Sequence, residues 1–131
     1  MTPDLLSNLP SRIHMILEEG AKEGASRIAF TDEDGAEWSY RRLIDTVADV
    51  AGKMAELGVR PGDRVMVVCE NSIAAIVLMY AASRLDAWSV MTSARLSSRE
   101  IDLIKEDSSP RCVSYTHTIS SEADAHARRH G

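Results

Sequence analysis

Apolar positions in this chain follow two spacings, and the alternation between them predicts an α/β fold. Over residues 5–19, Leu5, Leu9, Ile13, Ile16 and Leu17 recur at helical intervals, with Pro10 accommodated in a first turn. Gly20 and Gly24 break that pattern. Ile28 and Phe30 then alternate with polar neighbours, Asp34-Gly35 supplies a residue free to take positive φ, and Trp38 and Tyr40 resume the alternation. Such a layout predicts a β-hairpin.

A long helix over residues 40–57 is the best-defined element. Leu43, Val47, Val50, Met54 and Leu57 step by 4, 3, 4 and 3, with Ile44, Ala48, Ala51 and Ala55 in a stripe beside them. Asp45, Asp49, Lys53 and Glu56 fall on the opposite, wet side. Gly58 stands where a left-handed C-terminal cap is needed.

After the turn Pro61-Gly62-Asp63, the unbroken apolar run Val65–Cys69 predicts a strand buried on both faces, and therefore a parallel sheet. Asn71 is the expected N-cap of a helix over Ser72–Leu85, apolar nearly all round. Trp88–Thr92 is the next strand, also expected to be buried on both faces. Residues 65–92 thus form one βαβ unit with a right-handed crossover. Ser97-Ser98-Arg99-Glu100 is a capping box, with Leu96 and Ile101 at the two positions of a hydrophobic staple. Pro110 stops that helix, Cys112-Val113 marks another strand, and residues 121–130 form an Ala-rich helix.

Composition narrows the classes. A chain that is 44% apolar and 27% charged is globular rather than disordered. A net charge of −5 argues against nucleic acid as a partner, because a phosphate backbone needs a basic face. No run of 18 apolar residues exists to span a membrane, and Met1-Thr2-Pro3-Asp4 lacks the basic-then-apolar layout of a signal peptide, so a cytoplasmic setting is expected. Cys69 and Cys112 lack a C-x-x-C spacing and read as two buried, reduced thiols rather than a disulfide or metal site.

The search for chemistry returns little. There is no G-x-G-x-x-G, no Walker-type loop with Lys and no H-E-x-x-H, and the seven glycines are scattered. His126 and His130, at i and i+4, share a helix face as metal ligands sometimes do. They sit in a polar tail without a carboxylate or thiolate pattern, and the preferred reading is a solvated helix face. Gly58–Asp63 reads as a cap followed by a turn; Pro61 has no N–H to offer a phosphate.

One resemblance organises these pieces. The ordered set W-S-Y-R-R-L from Trp38, G-V-R-P-G-D-R-V-M-V-V-C-E-N-S from Gly58, and L-D-A-W-S-V-M-T-S-A-R-L-S-S-R-E-I from Leu85 resembles the adenylate-forming superfamily of acyl-CoA synthetases, aryl-CoA ligases, adenylation domains and luciferases. Upstream, F-T-D-E-D-G-A-E-W-S-Y is similar to that family's opening hairpin. The likeness covers most of the chain, with its last fifteen residues left open. Three departures stand out: Arg42 where the family usually has Glu, Asp86 where Gly is common, and Ser93-Ala94 in place of Asn-Pro.

The resemblance implies a fold and an activity. The fold would be an N-terminal helix and β-hairpin followed by a βαβ-type parallel sheet flanked by helices, an incomplete part of the family's large N-terminal domain. Residues 1–131 would supply the N-terminal part of an AMP-binding domain, since the family's phosphate loop, ribose-binding Asp and C-terminal Lys have no counterpart here. The implied reaction joins a carboxylic acid to CoA: the acid attacks the α-phosphate of Mg-ATP, and a thiol then displaces AMP. ATP, Mg and CoA are implied for the complete enzyme and none for this segment, which is expected to be inactive alone.

One site residue carries over. Arg95, in Ala94-Arg95-Leu96, matches the Arg that reaches CoA phosphates in some ligases, a role its planar two-pronged guanidinium suits. The alternative is a surface Arg at a helix start. Two other functional readings stand beside the ligase fragment: a stand-alone, non-catalytic α/β module that binds a partner protein, and a nucleotide-binding domain of another family, which lacks a supporting phosphate motif. Because later strands would complete the sheet, the segment is expected to self-associate.

Overall fold

The computed structural model describes residues 5–130; the Met1–Asp4 start lies outside the described residues. Its elements run in the order a short 3-10 turn Leu5–Asn8, α1 Met15–Lys22, β1 Ile28–Thr31, β2 Glu37–Ser39, α2 Tyr40–Glu56, β3 Arg64–Cys69, α3 Ile73–Arg84, β4 Trp88–Ser93, α4 Ser98–Ser108, β5 Cys112–Tyr115 and α5 Ser121–His130. β1 and β2 form an antiparallel hairpin. β4, β3 and β5 form a parallel sheet with β3 in the middle. The expected α/β architecture is present.

β3 divides the core in two because its side chains alternate between faces. Val65 and Val67 meet Leu17 of α1, Leu43, Val47 and Met54 of α2, and Val77 of α3. Met66 and Val68 face the other way, onto Ala94, Ile101 of α4 and Ala123 of α5. All four of these β3 residues have no exposed surface. The two-sided burial expected of the strand is met, and it explains the unbroken apolar run.

Capping chemistry sets the helix starts. Ser39 Oγ accepts from Arg42 N–H at 3.2 Å to open α2. Gly58, at φ 95°, closes that helix in the left-handed region. At α4 both halves of the capping box form: Ser97 Oγ accepts from Glu100 N–H at 3.3 Å, and Glu100 Oε2 accepts from Ser97 N–H at 2.8 Å. Leu96 and Ile101 share the second core, as the staple requires.

Several expectations need correction. The helix over 5–19 is interrupted: Pro10 lacks an N–H and restricts Leu9, so the chain breaks between the 3-10 turn and α1. Leu17 is buried, while Leu9, Ile13 and Ile16 stay exposed. Gly20 does not end α1; it lies within it, where a Cβ would sit 2.3 Å from Cε1 of the Tyr40 ring. Tyr40 opens α2 rather than extending β2. Asn71 is not the cap of α3; Ser72 is, its Oγ accepting from Ala75 N–H at 3.2 Å.

A further correction concerns β4. It is an edge strand with Trp88 71% exposed and Met91 42% exposed, because no further strand pairs with its outer side among the described residues. The two thiols are also only half-buried; both are free, and burial pushes both pKa values up, which favours the protonated thiol. Among the described residues no helix is long and apolar enough to cross a membrane.

Candidate functional site at the carboxyl ends of the strands

Strand order makes a crevice. The chain leaves β3 towards α3 on one face of the sheet and leaves β4 towards α4 on the other. Adjacent strands whose connections depart to opposite faces open a gap at their carboxyl ends, the place where open α/β sheets bind ligands. A cleft of about 720 Å³ lies there, lined among others by Glu70, Asn71, Ser72, Thr92, Ser93 and Arg95. Arg95 therefore sits where the topology places a site.

The turn that carries Arg95 is held by its own backbone. Ala94 N–H donates to Cys69 O at 3.0 Å, tying the end of β4 to the end of β3. Leu96 N–H donates to Ser93 O at 3.3 Å, and Arg95 N–H donates to Ser93 Oγ at 3.3 Å. Ser93-Ala94 thus supports a tight turn without the family's Asn-Pro.

The Arg95 side chain is 77% exposed and already engaged. Nε donates to Glu70 Oε1 at 3.0 Å and Nη2 to Glu70 Oε2 at 3.3 Å, a two-pronged pair. Hydrogen bonding to Glu70, its charge and the more distant charge of Glu122 hold the guanidinium in its charged form. A phosphate arriving here must displace the Glu70 carboxylate or share the fork with it. Glu70 was not singled out in the sequence, although its place directly after β3 and the position of Arg95 directly after β4 made the pair readable from the register Cys69↔Ser93.

His126 and His130 each have other partners in the fold. Among the described residues no group of three or more His, Cys, Asp or Glu side chains could hold a metal ion. Nor is their helix face solvated, as expected: His126 is buried, with Nε2 3.1 Å from both Ala94 O and Leu96 O. His130 stacks on Tyr115 with ring centroids 6.3 Å apart, and its Nε2 lies 3.4 Å from Asp102 Oδ1. Burial, with the Arg129 and Lys105 charges, pulls the His130 pKa below its ordinary value, against the opposing pull of Asp102. The signal for this docking was the Ala123, His126, Ala127, His130 spacing, which is that of a packed helix face.

The Gly58–Asp63 turn is structural. Gly62 N–H donates to Asp86 O at 2.9 Å and Arg60 N–H to Asp63 Oδ2 at 2.8 Å, so these donors are committed within the fold. Asp86 takes positive φ (56°) where the family commonly has glycine, and its carboxylate accepts from Arg12 Nε at 2.5 Å. Arg42, in place of the usual Glu, lies 3.7 Å over the Trp38 ring and donates to Glu37 O. Each departure has a local partner that accommodates it.

Comparisons with known proteins agree with this geometry. Residues 17–130 match the family described as AMP-binding enzyme. The long-chain-fatty-acid–CoA ligase FadD13 of Mycobacterium tuberculosis is 36% identical over 73 residues, covering 56% of this chain and 14% of that protein. The crystal structure of the N-terminal domain of FACL13 from Mycobacterium tuberculosis superposes with a TM-score of 0.74 at 26% identity, over 78% of this chain and 26% of that one. MatB from Rhodopseudomonas palustris shares the fold, with a TM-score of 0.76 at 22% identity over 92% of this chain and 24% of its own. The chain spans between 2% and 17% of the length of the curated relatives it matches. It belongs to the AMP-binding enzyme family, the adenylate-forming superfamily, and corresponds to an N-terminal segment of it.

Proposed function

We propose that this chain is the N-terminal segment of an AMP-forming acid–CoA ligase of the cytoplasm, with Arg95 contributing to the grip on CoA phosphates and the segment inert alone. The observation that carries the reading is the placement of Arg95 at the crevice between β3 and β4, on a turn fixed by backbone hydrogen bonds. A guanidinium presented there offers a phosphate a pair of charge-assisted donors. Glu70 holds that fork in its working orientation until an anion takes it over.

The described residues fit the other reactants poorly. ATP needs a cradle of backbone N–H groups around its phosphates. In the Gly58–Asp63 turn the Gly62 and Arg60 N–H groups are committed internally. Adenylate formation therefore belongs to residues beyond those described. Mg-ATP would activate the acid there and CoA would accept it, while this segment orients one phosphate-bearing partner.

The open outer side of β4, with Trp88 and Met91 exposed, supports an incomplete domain over a stand-alone module. It also supports self-association of the segment on its own. Calorimetric titration of the 131-residue chain with ATP in the presence of magnesium tests the central part of this reading. No binding is expected; micromolar binding of ATP or AMP overturns it.

A further inference from the structure

We propose that His126 is a positioning residue that clamps the Arg95 turn, so that α5 sets the orientation of the phosphate-gripping guanidinium. The inference rests on the proposed role of Arg95 but is carried by a separate set of contacts.

His126 is 7% exposed, and its Nε2 lies 3.1 Å from Ala94 O and 3.1 Å from Leu96 O. Both oxygens only accept, so Nε2 carries the proton and is shared between them. These carbonyls belong to the residues on either side of Arg95. One donor therefore fixes the 94–95 peptide plane, which carries the Arg95 N–H, and the 96–97 plane, so the Arg95–Leu96 segment is held at both ends.

The opposite edge of the ring is fixed as well. With Nε2 protonated, Nδ1 accepts, and Arg129 Nη2 stands 3.5 Å from it. Arg129 is itself gripped by Asp102 of α4, Nη1 donating at 2.8 and 2.9 Å, and Nη2 also donates to Ser98 O at 3.3 Å. Ala123, one turn before His126, is fully buried against the second core. The ring thus has no freedom to follow the turn if the turn moves. Side chains that brace a binding group from behind decide how well it is aimed.

Amide hydrogen exchange at Arg95 and Leu96 in the 131-residue chain tests the clamp without any ligand. His126→Phe, which keeps a ring but removes the donor, should speed exchange at these two amides about tenfold while β3 amides keep their protection. His126→Gln and His126→Asn separate donor placement from packing, since the Gln amide nitrogen stands where Nε2 does and the Asn nitrogen where Nδ1 does. Gln should restore slow exchange and Asn should not. That pair decides the matter even if the Phe variant fails to fold. Unchanged exchange in His126→Phe, or equal behaviour of Gln and Asn, overturns the clamp.

In the complete ligase the same His126→Phe change should raise the KM for CoA about five- to tenfold with adenylate formation unchanged. If Arg95→Ala leaves that KM untouched, the phosphate role of Arg95 falls, and the exchange result still decides whether His126 holds the turn.

Discussion

Replacing Ile101 by Ala gives a sharp test of the second core, which supports the Arg95 turn. Ile101 has no exposed surface and packs with Met66, Val68, Ala94 and Ala123. Removing three carbons from a buried site loses roughly 2.4 kcal/mol at ~0.8 kcal/mol per CH₂. A cavity term adds to this, and measured Ile→Ala losses run ~2–5 kcal/mol. Met66 and Val68 stand on β3, held by parallel partners on both sides, so the cavity cannot collapse from that direction. We expect about 3 kcal/mol. With a urea slope of roughly 1.5 kcal/mol/M, the unfolding midpoint falls by about 2 M. Leu103, on the same helix but 54% exposed, is the control, and its change to Ala should stay within about 0.5 kcal/mol. A midpoint loss below about 0.5 M for Ile101→Ala, or equal losses for the two variants, would refute the two-sided core.

Two further outcomes follow from the same contacts. The depressed pKa of His130 means that its contribution to stability is fully present above the unfolded value of 6.5 and is lost as pH falls through the folded value. Wild type should therefore lose stability relative to His130→Phe as pH falls below about 6.5, read by denaturant titration; parallel curves would contradict the docking of α5. The chain alone should run as a dimer or larger species by light scattering, and Trp88→Lys, a charge on the edge strand, should shift it towards monomer. A monomeric wild type that binds no dye specific for exposed apolar surface would show that the fold closes its own core.

Helical and strand spacing made the central elements readable. The apolar run of β3 and the capping box of α4 each have a single local solution and form as expected, and the 4-3-4-3 stripe of α2 does so except at Leu57, which is the C-cap and 71% exposed. What the spacing did not reveal came from one local break and from neighbours far along the chain. Leu9, Ile13 and Ile16 repeat at helical intervals, but Pro10 breaks the backbone beneath them. Trp88–Thr92 is apolar enough for a central strand, and only the sheet order shows that it lies at an edge.

The candidate site was half legible. Arg95 stood out by its place beside Leu96 and the capping box, because residue type and order carry that information locally. Its partners did not, since Glu70 is 25 residues away and His126 is 30 residues from Leu96, and no periodicity links them. His126 also sits in a stretch whose charged neighbours Arg128 and Arg129 make it look like a wet tail. Arg129 is in fact committed to Asp102 of α4, while buried Ala123 and His126 seat the helix.

The most direct test of the account separates the two half-reactions in the complete enzyme. Arg95→Ala should leave ATP–pyrophosphate exchange, which reports adenylate formation, nearly unchanged, and should raise the apparent KM for CoA in thioester formation about tenfold, the loss of one charge-assisted phosphate contact. Equal losses in exchange and thioester formation, or no change in either, would contradict the assignment of Arg95 to CoA.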